Sequence, residues 1–265
     1  MPNSDNDEIS LSLDDMFTEP PRPPTPPASI ETYIREREPP HKDWSHIEIS
    51  LVGSHPLWGH HLWNASRAFA SYLDANPELT RDRVVLELGA GGGLPGLVAA
   101  KTGAKVTVLT DYPDQDLLNN LRLNVSKNEL DHKDVYVEGY IWGRSVEPLF
   151  TLYRRAQDTR RFDVIVMSDL IFNHSQHDAL LDTCEAALDI GTNEGPQPCL
   201  LVFYTHHRPH LAHRDMEFFE RARQRGWACE EVLTRRYPPM FPNDPGEEEV
   251  RATVHGWKLT RDAQG

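Results

Sequence analysis

From residue 84 onward the chain alternates short runs of Val, Leu and Ile with amphipathic stretches, and this alternation limits the fold more than any other feature. Short apolar runs flanked by turn residues read as buried strands, and longer stretches with apolar residues at helical spacing read as helices. The spacing predicts strands at 84–88, 105–110, 134–139, 162–167, 198–204, 229–236 and 250–258. Between them it predicts helices at 95–102, 114–127, 174–189 and 211–225. An earlier helix is expected from Trp58, Leu62, Ala65, Phe69, Tyr72 and Leu73, which share one face and are stopped by Asn76-Pro77. Strands and helices in succession imply a parallel sheet covered on both faces. The last two runs are joined by PPMFPNDPGEEEV (238–250) instead of a helix, which suits an antiparallel pair. The expected fold is α/β, a seven-stranded, mostly parallel Rossmann-like sheet with the last strand antiparallel.

The 265 residues, 38% of them apolar, suffice for a single domain with a sizeable core. Residues 1–45 differ, with ten acidic side chains against four basic ones and the stretch EPPRPPTPPAS at 19–29. They read as a flexible acidic segment with a polyproline-like linker, so the folded domain is expected over 46–265. Within that segment Ile9, Leu11, Leu13, Met16 and Phe17 form a short apolar stretch able to dock on the domain or on a partner. A net charge of −14 argues against nucleic acid or an anionic membrane as partner and favours a basic peptide or protein surface. The three cysteines form no C-x-x-C pair and read as reduced thiols. With no apolar run long enough to span a bilayer and no signal-peptide pattern, a cytoplasmic protein is expected, the nucleus being the alternative. A monomer is the default expectation, on which no sequence feature bears.

The sequence LELGAGGGLPG (86–96) joins the first of these strands to the first of these helices. A strand, a glycine turn and a helix start make a cradle, because free N–H groups at the helix N-terminus point at whatever occupies the turn. Pro95 suits the first helical turn, where its missing donor costs nothing. Two registers overlap in this loop. From Gly91 the string G-G-G-L-P-G matches the dinucleotide pattern, with Asp111 twenty positions on. From Glu87 the string E-L-G-A-G-G-G resembles the acid-x-Gly-x-Gly loop of S-adenosylmethionine (SAM) methyltransferases. A carboxylate beside a pyrophosphate is unfavourable, whereas SAM carries an ammonium and a sulfonium, so Glu87 favours the second register. Asp111, ending VTVLTDYP, can accept hydrogen bonds from both ribose hydroxyls; its competing role is to cap the helix starting near Asp114.

The segments HLWNAS, VVLELGAGGGLPG, VTVLTDYP, YIWG and FDVIVMSDLIFN resemble the seven-stranded SAM-dependent methyltransferases that modify lysines and N-termini of proteins. PLWGHHLWNAS, SDLIFNHSQH and FYTHHRPH are similar to the fungal branch of that family acting on the N-terminus of translation elongation factor 1-alpha. The resemblance implies that factor as protein substrate and SAM as cofactor. It further implies that Gly89, Ala90 and Gly91 hold the methionine end and Asp111 the ribose. Trp142 then lies against the adenine, the backbone of Ser168 lines the pocket, and Trp63 closes over the cofactor. A small-molecule N-methyltransferase and a non-catalytic module of the same fold are the competing readings.

The acceptor nitrogen must be neutral to attack the methyl group. An α-amine, with a pKa of about 7.7–8, meets that condition more readily than a lysine near about 10.4. Asp169 in S-D-L-I-F resembles the family's acid-x-x-aromatic motif, which implies that it orients the amine while Phe172 walls the channel. Many relatives have tyrosine at the Phe172 position, so no role there can depend on a hydroxyl. For Asp169 the competing role is a helix cap before His174. The cluster His206, His207, His210 and His213 has no cysteine nearby and reads as part of an acceptor pocket in preference to a metal site.

Overall fold

The computed structural model describes residues 28–37, 44–53, 56, 59–154, 160–191 and 196–261. Nine strands are named among them: β1 (Ser29–Ile34), β2 (His46–Leu51), β3 (Val84–Leu88), β4 (Val106–Asp111), β5 (Val135–Gly139), β6 (Val164–Ser168), β7 (Cys199–Thr205), β8 (Ala228–Arg236) and β9 (Thr253–Thr260). The last seven form one sheet in the order β5-β4-β3-β6-β7-β9-β8. Strands β3 to β7 run parallel, and β9 is antiparallel to both of its neighbours. The α/β sheet with a reversed last strand is therefore as the sequence predicts.

Helices α1 (Asn64–Ala75), α2 (Leu94–Lys101) and α3 (Gln115–Lys127) cover one face. They form a core in which Phe69, Leu73, Leu97 and Leu121 meet Val85, Val164 and Phe203 of the sheet. The other face carries α4 (Glu147–Thr151), α5 (His177–Ala187) and α6 (Ala212–Gln224), whose Phe150, Leu180 and Phe218 pack on Leu86, Leu88 and Ile165. Residues of the central strands β3, β6 and β7 thus face one core or the other, which is why these strands read as nearly unbroken apolar runs. Every residue of α2 from Leu94 to Ala100 is buried, because it sits between the sheet and α1. Among the described residues no helix is long and apolar enough to cross a membrane.

Three boundaries differ from expectation. The segment expected to be flexible as far as residue 45 contains β1, paired antiparallel with β2. Tyr33 is its one buried side chain, and Arg35 beyond it donates from Nη2 to Asp74 of α1 at 2.7 Å with both side chains almost wholly buried. With Ile30 and Ile34 exposed and Tyr33 alone buried, the hexapeptide has no apolar alternation that matches its buried face. Second, residues 250–252 belong to a short helix, α7 (Glu248–Ala252), instead of to the final strand. Third, the first helix begins at Asn64, and Trp58 lies outside the described residues, as does the apolar stretch from Ile9 to Phe17.

Candidate active site

The sheet order reverses at β3, whose neighbours β4 and β6 lead the chain in opposite directions, and a cleft opens at the carboxyl ends of these strands. It has a volume of about 610 Å³. Its lining includes nine of the ten residues singled out from the sequence: Trp63, Gly89, Ala90, Gly91, Asp111, Trp142, Ser168, Asp169 and Phe172.

The glycine turn is built to leave its backbone bare. Gly89 and Gly91 take left-handed φ values of 57° and 54°. A Cβ on Gly89 would come within 2.6 Å of Leu170 and 3.2 Å of Trp142, whereas one on Gly91 would meet nothing within 4 Å. The loop is tied to β4: Ala90 N–H donates to the Thr110 carbonyl at 2.9 Å, and Gly91 N–H to Asp111 Oδ2 at 2.7 Å. Asp111 Oδ1 accepts from the Tyr112 N–H at 2.7 Å. Asp111 does not cap α3, since Asp114 does so itself by accepting from the N–H groups of Asp116 and Leu117.

Glu87 is the correction. It is fully buried and absent from the cleft lining; its Oε2 accepts from the Gly96 N–H at 2.8 Å, beneath the start of α2. On β3 the side chains of Leu86 and Leu88 face the α5–α6 core, so residue 87 points to the opposite side, under the helix. Its work is to hold the loop-to-helix junction. Burial pushes this carboxyl up to about 8, against the Gly96 hydrogen bond and with Asp111 adding to the rise.

Across the cleft, Trp142 is half-buried just past β5 and presents a ring beside Gly89. The buried Ser168 Oγ has no hydrogen-bond partner among the described residues. Trp63 closes the α1 side within an aromatic group: its ring centroid is 5.3 Å from His61, 6.0 Å from Phe241 and 4.8 Å from His207.

Asp169 is one of three non-glycine residues with positive φ among the described residues, at 53°. Its Oδ1 accepts from the Thr205 N–H at 3.0 Å, while Oδ2 is buried without a partner among the described residues. It caps no helix; the turn after it is held by His177, whose Nε2 donates to the Ile171 carbonyl at 2.7 Å. Burial holds the His177 imidazole below its ordinary pKa, so it stays neutral there. Phe172 lies beyond Asp169 on the same lining, and its carbonyl accepts from Arg208 at 3.2 Å.

The histidine cluster divides. His206 and His174 grip the two oxygens of buried Asp215, each at 2.7 Å, while His210 and His213 are exposed and His207 turns toward Asp169. Among the described residues no group of three or more histidine, cysteine or acidic side chains could hold a metal ion. Asn173, Gln176 and Arg208 also line the cleft without a sequence signal; Asn173 and Arg208 lie in loops and Gln176 ends a single 3-10 turn, segments too short to carry a period. Arg208 is the one arginine or lysine among the described lining residues, and it lies at the rim. The lining therefore suits a ligand with a flat ring, ribose-like hydroxyls and no phosphate, and SAM has that chemistry.

A family model described as lysine methyltransferase matches residues 43–225. The chain is 44% identical over 281 residues to the protein N-terminal and lysine N-methyltransferase EFM7 of Cryptococcus neoformans var. neoformans serotype D, covering 99% of this chain and 92% of that protein. It is 42% identical to efm7 of Schizosaccharomyces pombe, covering 97% of this chain and 98% of that one. Solved structures of similar fold include a Streptococcus mutans protein described as a SAM-dependent methyltransferase (TM-score 0.53, 14% identity, 80% of this chain and 53% of that chain). TYW2 of Pyrococcus horikoshii in complex with MeSAdo is another (TM-score 0.50, 13% identity, 82% and 69%). From these matches and the cleft they accompany, the chain belongs to the lysine methyltransferase family.

Proposed function

We propose that this chain transfers the methyl group of SAM to the N-terminal α-amine, and to a neighbouring lysine, of translation elongation factor 1-alpha in the cytoplasm. The observation that carries the reading is Asp169, a buried carboxylate on the cleft wall with one oxygen left without a partner among the described residues. The bound cofactor supplies an activated methyl group on a sulfonium. The chain's own residues align the acceptor with it. The backbone at 89–91 receives the methionine end, Asp111 the ribose hydroxyls and Trp142 the adenine face, while Ser168 lines the pocket and Trp63 closes it.

Asp169 orients the incoming amine and offsets the positive charge its nitrogen gains, and Phe172 walls the channel against water. An α-amine is substantially neutral at cellular pH, so the site need not supply a strong general base. The relatives named as protein N-terminal and lysine N-methyltransferases support a protein acceptor. The similarity of SDLIFNHSQH and FYTHHRPH to the fungal branch supports this particular factor, and the net charge of −14 favours a basic surface. Incubation with labelled SAM and the factor, intact or N-terminally blocked, tests the reading. Label should fall sharply on blocking; equal labelling of both forms would overturn the N-terminal assignment.

A further inference from the structure

The Asp169 carboxylate has a close neighbour that the proposed chemistry leaves unused. Oδ1, already accepting from Thr205, lies 3.2 Å from Nε2 of His207. That nitrogen is buried and lies off the line of a hydrogen bond. A 2.9 Å bond from the His207 N–H to the Thr205 carbonyl fixes the backbone there, and the ring packs on Trp63. The Asp169 side chain is 4% exposed and that of His207 18%, so little water screens the pair. The other charged groups facing the imidazole are Asp215 on α6 and Arg208, the next residue. Asp215 is itself engaged by His174 and His206, and from the α1 side Trp63 brings no charge.

We propose that His207 is a positioning residue that sets the charge Asp169 presents to the acceptor nitrogen. The proposal rests on the reading of Asp169 as the group that faces this nitrogen. As an imidazolium, His207 offsets the carboxylate and weakens its hold on the amine. As a neutral imidazole it leaves the carboxylate its full charge. That charge then balances the one arising as the nitrogen lone pair forms the new C–N bond and the pair of the breaking C–S bond leaves with sulfur. Burial draws the imidazole pKa down, but Asp169 and Asp215 outweigh it against the opposition of Arg208, so the ring titrates above its ordinary value. Methyl transfer therefore requires two deprotonations, of the amine and of His207.

The test is the acid limb of kcat/KM against pH, with the factor as acceptor. The wild type should lose about 100-fold per pH unit below both pKa values and His207→Asn only about 10-fold, because one of two ionisations is gone. A loss of about 10-fold per unit in both would overturn the proposal. His207→Gln is the second variant, and thermal unfolding checks that each folds. A readout independent of turnover is NMR titration of the histidines: the resonance missing in His207→Asn should titrate at lower pH in Asp169→Asn. An unchanged titration also overturns the proposal. Failure of the N-terminal reading would show separately, as wild-type labelling indifferent to blocking, and would leave the titration result standing.

Discussion

Asp169 shows what a single residue carries in this fold. A left-handed backbone costs a non-glycine residue of the order of 1–3 kcal/mol. Here it is over-determined from β7, whose Phe203 carbonyl takes the Asp169 N–H at 2.8 Å and whose Thr205 N–H holds Oδ1. Asp169→Asn keeps the shape and removes the charge, so kcat should fall by about 10²–10³-fold. Calorimetry should find cofactor affinity little changed, and an equal loss in both would assign Asp169 to cofactor binding instead. The motif S-D-L-I-F at a strand end made this residue legible in the sequence. The approach of His207 was not, because it depends on the register that sets Ser168 opposite Phe203, which no local pattern encodes. The side taken by Glu87 was equally hidden, since a strand buried on both faces has no polar alternation to mark them.

At the scale of elements, the glycine turn depends on a bracket from α3. Asn124 is fully buried; its Oδ1 accepts from the Ser50 N–H at 2.8 Å, and its Nδ2 donates to the carbonyls of Ser50 at 2.9 Å and Gly92 at 3.0 Å. One side chain thus ties β2 to the loop that lines the cleft. Asn124→Ala leaves buried backbone groups unpaired, and urea unfolding should register a loss of about 1–3 kcal/mol. Cofactor binding should weaken with it. The central strands β3, β6 and β7 were legible because each buries a continuous apolar run, and α1, α3, α5 and α6 because each buries an apolar stripe. The small β1–β2 sheet is harder to read, although HIEISL carries a period-two signal in Ile47, Ile49 and Leu51, all buried. A polar, proline-rich neighbourhood masked it.

For the whole molecule, the buried Glu87 couples folding to pH. Its carboxyl titrates at about 8 in the folded chain, well above the value of about 4.3 expected once unfolded. The native state therefore keeps a proton that the unfolded state releases. The stability from this group is complete below the unfolded pKa and is lost as pH climbs to the folded one. Glu87→Gln, which retains an acceptor for the Gly96 N–H, should flatten the fall in Tm between about pH 5 and 8 in calorimetric scans. A wild type and variant with parallel profiles would show that the carboxyl stays ionised when folded.

The placement of β9 between β7 and β8 has a consequence for biosynthesis. As the chain leaves the ribosome, β8 emerges with no strand to pair with, and β7 keeps one bare edge until β9 arrives and slots in to join them. The sheet cannot close in the order in which it is made. For that interval the nascent chain displays open strand edges of the kind that recruit other chains, so the risk of aggregation is greatest between the emergence of β8 and that of β9.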